Sequence, residues 1–291
     1  MKITNFHILS TACALTCLAI LLMTLPFRSL AGDKLKPEEV VARHLESIGT
    51  AEARRAVRTQ IVGGTVVATF SSPSTGQFKG RAVIASEGSK NLLAMEFNTP
   101  NYSGENISFD GESVSIGYAR AGVRSNLGDL VTTYKTIIKN GLVGGELSQA
   151  WPLFDLAEKK HKLEYRGTKK ISGKTVHELG FTPRGGSEME INLYFDSETF
   201  QHVRTQYTHV VVPQIGASVD ASASQRTIRY KMIEDFSDFK KEGELTLPHG
   251  YKITLELDTR IPFRGNWDLT LNQFAFNQNI PPTMFNFGAK Q

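Results

Sequence analysis

Few side chains in this 291-residue chain stand in patterns that could do chemistry. His202 and His209 lie on one extended segment, but their odd offset puts them on opposite faces of a strand, where they cannot share an ion. His177-Glu178 lacks the second histidine of a zinc-binding pair. Asp196, Glu198 and Asp220 fall in turn-like stretches without a partner pattern and read as solvated loop carboxylates. His44 lies on the apolar face of a helical stretch, where packing is the commoner use of a histidine. Cys13 and Cys17 both sit inside an apolar N-terminal run, so residues 32–291 hold no thiol for catalysis, a disulfide or zinc. Nucleophile-elbow, metalloprotease, phosphate-loop, dinucleotide and calcium-loop signatures are absent from the sequence. The chain reads as a non-enzyme with no cofactor and no metal. A hydrolase with scattered residues is the least favoured alternative, and converging histidine and carboxylate side chains would reveal it.

The ends and the charge narrow the setting. Lys2 precedes an apolar run, Ile8–Leu25, that Pro26 breaks, and Ser29-Leu30-Ala31 is a small-x-small cleavage pattern before Gly32. Residues 1–31 read as a secretory signal peptide and residues 32–291 as a single domain, secreted across the inner membrane into the periplasm. An uncleaved membrane anchor is the alternative. A lipidation site needs Leu three residues before its Cys, and Ser10 and Ala14 stand there instead. The formal charge is +4; without Lys2 and Arg28, 31 basic residues face 29 acidic ones and leave +2. That is too weak and too evenly spread for a nucleic-acid partner.

The elements that would position any site are mostly strands. Pro37 at a first helical position, Glu38 and Glu39 in the first turn, and Val40, Val41, His44, Leu45 and Ile48 on one face predict a helix ended by Gly49. Thr50 caps a second, short one. From Arg58 the apolar period becomes two, with turn clusters between short runs and an Asp110-Gly111 hairpin signal. Ser125 or Asn126 then starts a helix with Leu127, Leu130, Val131, Tyr134, Ile137 and Ile138 on one stripe, and further helical turns reach Glu158. Strands resume near Lys162. Ala217–Ser224 is small and polar, a flexible loop. Asp235–Ile253 reads as strand, turn at Lys240–Gly243, a short edge segment through Leu245 and Leu247 with Pro248 marking an edge or bend, then a strand. A parity change after Leu271 predicts a bulge near Gln273, and the chain closes as an extended tail, Ile280–Phe285. Ten to twelve strands with a mid-chain helical insertion make a mainly β (α+β) protein: one curved antiparallel sheet with helices on its dry face.

Several of these stretches resemble a known family. Ile107–Ile116 is similar to the strand, Asp-Gly hairpin and strand of the periplasmic lipoprotein carrier and receptor superfamily, LolA/LolB-like proteins of the outer-membrane lipoprotein-sorting type. Leu193–Phe200 resembles its later hairpin, Gly243–Pro248 its turn and Leu-Pro edge, and Ile280-Pro281-Pro282 with Phe285 its tail. The resemblance implies a half-open antiparallel β-barrel of about eleven strands, helices over a hydrophobic cavity, and a cargo of lipid or lipoprotein acyl chains held without chemistry. The family's lid-holding arginine-proline pair is missing, because Glu87-Gly88-Ser89-Lys90 occupies the matching loop.

A dry face larger than its helices can cover gives an independent physical reason to expect an apolar ligand. The cavity candidates are Phe70, Phe78, Ile84, Leu93, Met95, Phe97, Met189, Ile191, Leu193, Phe195, Tyr251, Ile253 and Leu255, with Leu127, Leu130, Val131, Tyr134, Ile137 and Ile138 forming a lid helix. The same side chains would equally make a solid core. In that case the protein is an interaction or sensor module for other envelope proteins, binding by strand addition at an open edge. Empty volume in front of the dry face separates the two. Transient contact with a membrane surface fits the carrier reading.

Overall fold

The computed structural model describes residues 35–212 and 227–286. The expected signal peptide and the expected loop Ala217–Ser224 lie outside these residues. Helix α1 (Pro37–Ile48) begins with Pro at its first turn, and the Lys36 amide donates to the Glu39 carboxylate at 3.0 Å. Thr50 caps α2 (Ala51–Ala56) by accepting from the Ala53 amide at 3.1 Å. The Arg54 guanidinium turns back to donate to the Gly49 carbonyl and to the Leu45 carbonyl, which also accepts the capping Gly49 amide, at the C-terminus of α1.

Twelve strands form one antiparallel sheet: β1 (Thr59–Ser72), β2 (Gly76–Glu87), β3 (Lys90–Phe97), β4 (Gly104–Phe109), β5 (Val114–Ile116), β6 (Lys162–Ile171), β7 (Lys174–Thr182), β8 (Glu190–Asp196), β9 (His202–Val211), β10 (Ile228–Glu242), β11 (Leu245–Asp258) and β12 (Phe263–Phe276). Their order is β5-β4-β3-β2-β1-β12-β11-β10-β9-β8-β7-β6. One meander runs outward from β1 to β5, and the other runs inward from β6 to β12. The two meet where β1 pairs with β12. The edges, β5 and β6, do not pair among the described residues, so the sheet stays open. The segment joining these two edges carries α3 (Asn126–Thr133), α4 (Thr136–Lys139), a 3-10 turn at Gly145–Leu147 and α5 (Leu156–Lys159).

Register explains the single dry face. Partners Val62–Ile84–Leu93–Ile107 run outward on one side, and Ala68–Trp267–Ile253–Glu234 and Thr205–Leu193–Leu179 on the other, all on the inner face beneath the helical segment. The expected bulge is present: Gly63 pairs with Gln273 but Gly64 with Leu271, which brings Phe274 back into phase with Val62. A Cβ on Gly64 would stand 2.0 Å from the Thr270 carbonyl, so this crossing needs glycine. On the outer face the tail folds back. Ile280 and Phe285 pack on Ala85 and Leu92, and Ser108 Oγ donates to the Phe285 carbonyl at 2.7 Å.

Three readings of the sequence change. Leu245–Leu247 is not separate from the strand that follows, because β11 runs unbroken from Leu245 through Pro248, although the expected edge is there on one side. Pairing with β12 begins only at Gly250, so at Pro248 the strand has β10 alone as neighbour and a missing amide costs nothing on the other side. The helix expected over Leu127–Ile138 is two, α3 and α4, broken at Tyr134 and Lys135. Thr132 and Thr133 donate their hydroxyls back to the Gly128 and Asp129 carbonyls, a bonding mode that bends helices. Third, His202 and His209 share the inner face, because the β8–β9 register shifts between Tyr194 and Phe195. Roughly 20 Å of strand still separates them.

Candidate functional site

The inner face divides into a filled half and an open half. The filled half lies toward the β2–β3, β4–β5 and β10–β11 turns. There Ile137, Ile138, Leu142, Leu147, Trp151 and Leu153 are buried against the sheet. Polar contacts pin this segment down. Asn91 Nδ2 donates to the Ile138 carbonyl at 3.2 Å, and the Gln149 amide to Ser86 Oγ at 2.8 Å. Glu234, fully buried, accepts from the Gly144 amide at 2.8 Å, from Tyr207 Oη at 2.6 Å and from Tyr251 Oη. Burial holds the Glu234 carboxyl above its ordinary pKa, against the pull of these three donors. Gly141 lets the chain double back here, since a Cβ would stand 2.0 Å from the Ala150 carbonyl at a φ of 68°.

Two histidines complete this half. Trp151 Nε1 donates to His44 Nε2 at 3.2 Å, and His44 Nδ1 lies 3.2 Å from the Phe200 carbonyl. Those partners fix one neutral tautomer, with the proton on Nδ1, and burial lowers the His44 pKa to about 4. His202 Nδ1 faces Glu146 Oε2 at 2.9 Å, and its Nε2 donates to the Arg204 carbonyl at 3.0 Å. Both side chains are at most 1% exposed, so the pair resembles a catalytic dyad in its bonding but has no path to a substrate. Among the described residues no three His, Cys, Asp or Glu side chains are grouped to hold a metal.

The open half lies toward the β1–β2, β3–β4 and β11–β12 turns. It holds a solvent-open cavity of about 590 Å³, within the ~300–1,000 Å³ usual for small-molecule sites. Phe70, Phe78, Tyr102, Phe263 and Trp267 form its apolar wall. Their rings meet edge to face or tilted: Phe70 to Tyr102 at 5.1 Å, Phe70 to Trp267 at 5.7 Å, Phe70 to Phe263 at 5.8 Å. Gly265, paired with Phe70 across β1 and β12, leaves the space these rings fill; a Cβ would come within 2.9 Å of both. The opposite wall is the stretch from Ala119 to Asn126, which leads into α3.

One carboxylate lines the cavity. Glu105 is 3% exposed. Tyr102 Oη donates to its Oε1 at 2.6 Å and Ser125 Oγ to its Oε2. Trp267 Nε1 donates to Tyr102 Oη at 2.7 Å, and Ser125 Oγ accepts from the Gly128 amide at 2.8 Å as the cap of α3. Burial raises the Glu105 carboxyl to about 7, opposed by the Ser125 and Tyr102 hydrogen bonds. A single chain of hydrogen bonds thus ties the aromatic wall to the start of α3. At its other end Tyr134 Oη meets His209 Nδ1 at 2.6 Å, so α3 bridges β4 and β9 across the inner face.

Of the residues read from the sequence, Phe70 and Phe78 line the cavity. Ile84 and Leu93 lie under Ile138 and Val143 with no room for a water between them. Met95, Phe97, Met189, Ile191, Leu193, Phe195, Tyr251, Ile253 and Leu255 are buried on the inner face outside the cavity, and Leu127, Leu130, Val131, Tyr134, Ile137 and Ile138 are buried beneath α3 and α4. The sequence reading missed Tyr102, Glu105, Arg120, Arg124, Phe263 and Trp267 as lining residues. A usable signal existed for one: Glu105 is in phase with Ile107 and Phe109, a charge on a dry face.

No family model and no curated protein matches this chain. Solved structures do. A LolA superfamily protein from Nitrosomonas europaea matches 87% of this chain and 98% of its own at 12% identity, with a TM-score of 0.46. A domain described as outer membrane lipoprotein-sorting, from Vibrio parahaemolyticus, matches 85% and 97% at 12% identity and a TM-score of 0.41. A DUF1329 family protein from Desulfovibrio piger matches 87% and 98% at 9% identity and a TM-score of 0.39. The first bears the superfamily name to which the sequence resemblance pointed.

Proposed function

We propose that this protein is an envelope carrier that holds an acyl chain of a lipid or lipoprotein in the open half of its sheet, without chemistry. The observation that carries the reading is the cavity of about 590 Å³ walled by five aromatic side chains and open at the rim. An apolar chain entering it removes its own surface and that of the rings from water, at about 25 cal/mol for each Å² buried. The open end of the sheet supports delivery from a membrane surface. Tyr118, Val123, Val210, Val211, Val212 and Ile261, the large apolar residues exposed among those described, all lie at the open end. No helix among the described residues is long and apolar enough to cross a membrane.

Native mass spectrometry tests this. The full-length chain is expressed in a bacterium and purified from the periplasm without detergent. The protein mass reports whether residues 1–31 are removed, and adducts report cargo. The expected result is an added mass in the range of a fatty acid or phospholipid, lost on organic extraction. A bare protein that also fails to take up added lipid overturns the carrier reading in favour of an interaction module.

A further inference from the structure

The apolar wall accounts for a chain but not for the far side of the cavity, where charge is unevenly distributed. The stretch Ala119–Arg124 forms a tight turn: the Val123 amide donates to the Arg120 carbonyl and the Ala119 amide to the Val123 carbonyl, both at 2.9 Å, around Gly122 at a φ of 71°. The turn sets Arg120 and Arg124 on the cavity rim, both exposed. The Arg124 guanidinium is held 5.6 Å over the Tyr118 ring. Neither arginine forms an ion pair among the described residues, whereas Arg166, Arg204 and Arg264 each pair with a carboxylate. The one carboxylate in the cavity wall, Glu105, already accepts from Tyr102 and Ser125 and is buried behind them. The remaining polar lining is neutral: Ser72, Ser74, Thr75, Asn101 and Asn126.

We propose that the cavity takes an anionic amphiphile, with its apolar chain along the aromatic wall and its carboxylate or phosphate head between Arg120 and Arg124. The inference rests on the carrier reading and adds a head-group class to it. Guanidinium groups match both anions with paired N–H donors. The head stays at a solvent-open rim, so its charge is not stripped of water, while the chain behind it is. A neutral head would leave both arginines unused, and a cationic head would meet two like charges.

The test uses the full-length protein as purified, extracted of lipid, with the uncharged fluorophore N-phenyl-1-naphthylamine in the cavity. Displacement is measured with laurate, dodecyl phosphate, methyl laurate and dodecylamine. Laurate and dodecyl phosphate are expected to displace the fluorophore at roughly tenfold lower concentration than methyl laurate, the scale of a charge-assisted contact. In Arg120→Ala/Arg124→Ala the laurate-to-methyl laurate ratio falls to within about twofold of one, and in Arg120→Glu/Arg124→Glu dodecylamine becomes the preferred displacer. Both positions are exposed, so folding is not at stake. Equal displacement by anionic and neutral compounds, or a ratio unchanged in the alanine variant, overturns the head-group inference and leaves the carrier reading standing. A cavity that none of the four compounds enters overturns both.

Discussion

Glu105 is the residue on which the open half turns. It lies between the wall that a ligand would touch and the cap of the helix that would cover it. Its folded-state pKa, about 7, lies above the ordinary value of 4.5. The folded protein therefore binds this proton more tightly than the unfolded chain does. The resulting stability is complete below about pH 4.5 and is lost as pH rises through about 7, a fall of about 3 kcal/mol for such a shift. Glu105→Gln removes that fall. Its amide can accept from Tyr102 and donate to Ser125, so the hydrogen-bond chain survives. Urea unfolding of both proteins from pH 4.5 to 8 should show the variant gaining on the wild type by up to about 3 kcal/mol. A difference that stays flat with pH would contradict it. Residues of this kind were only half legible in the sequence. Glu105 and Glu234 are in phase with apolar neighbours, which marks them as buried, but their partners Ser125, Tyr207 and Gly144 come from distant segments that only the folded sheet brings near.

Elements were far more legible than their junctions. Period-two alternation located the strands because each has one face under helices or tail, and Asp110-Gly111 fixed its hairpin because the Asp110 carboxylate accepts from the Glu112 and Ser113 amides at 2.9 and 2.7 Å. The break between α3 and α4 was not legible. Its apolar stripe continues through Tyr134, and what interrupts the helix is threonine back-bonding and the reach of Tyr134 to His209. That contact has a consequence for the proposed lid. If α3 must lift for cargo to exchange, its anchors are Ser125 on Glu105 and Tyr134 on His209. Tyr134→Phe deletes one hydrogen bond, worth about 1 kcal/mol, and should speed release of a fluorescent fatty acid roughly fivefold. Stopped-flow exchange measures this directly. A variant that loses stability while its release rate is unchanged would remove α3 from the gating role.

At the scale of the whole molecule, one sheet does two jobs. An open twelve-stranded sheet cannot cover its own inner face, and the 45-residue connection between its edges, 117–161, is the natural cover because it must cross from β5 to β6. That connection fills the half where it is pinned by Asn91, Glu234, Ser86 and Gln60, and in the other half it leaves a solvent-open cavity beside α3. The sequence announced the face and the cover but not this division, which depends on where a few polar side chains anchor the segment. On the carrier reading, the division also gives the molecule a working end. Val212 and Ile261, at the same end of the sheet as the cavity, are 70% and 67% exposed. On that reading, apolar residues exposed at that end would meet a surface that is itself apolar a few ångströms down, as a bilayer is. Val212→Asp with Ile261→Asp should therefore leave unfolding within about 0.5 kcal/mol of the wild type and slow uptake of a fluorescent lipid from vesicles, while uptake of the same lipid's short-chain soluble analogue is retained. Equal slowing of both would assign these residues to the cavity itself, and no slowing of either would show that cargo reaches the mouth through water.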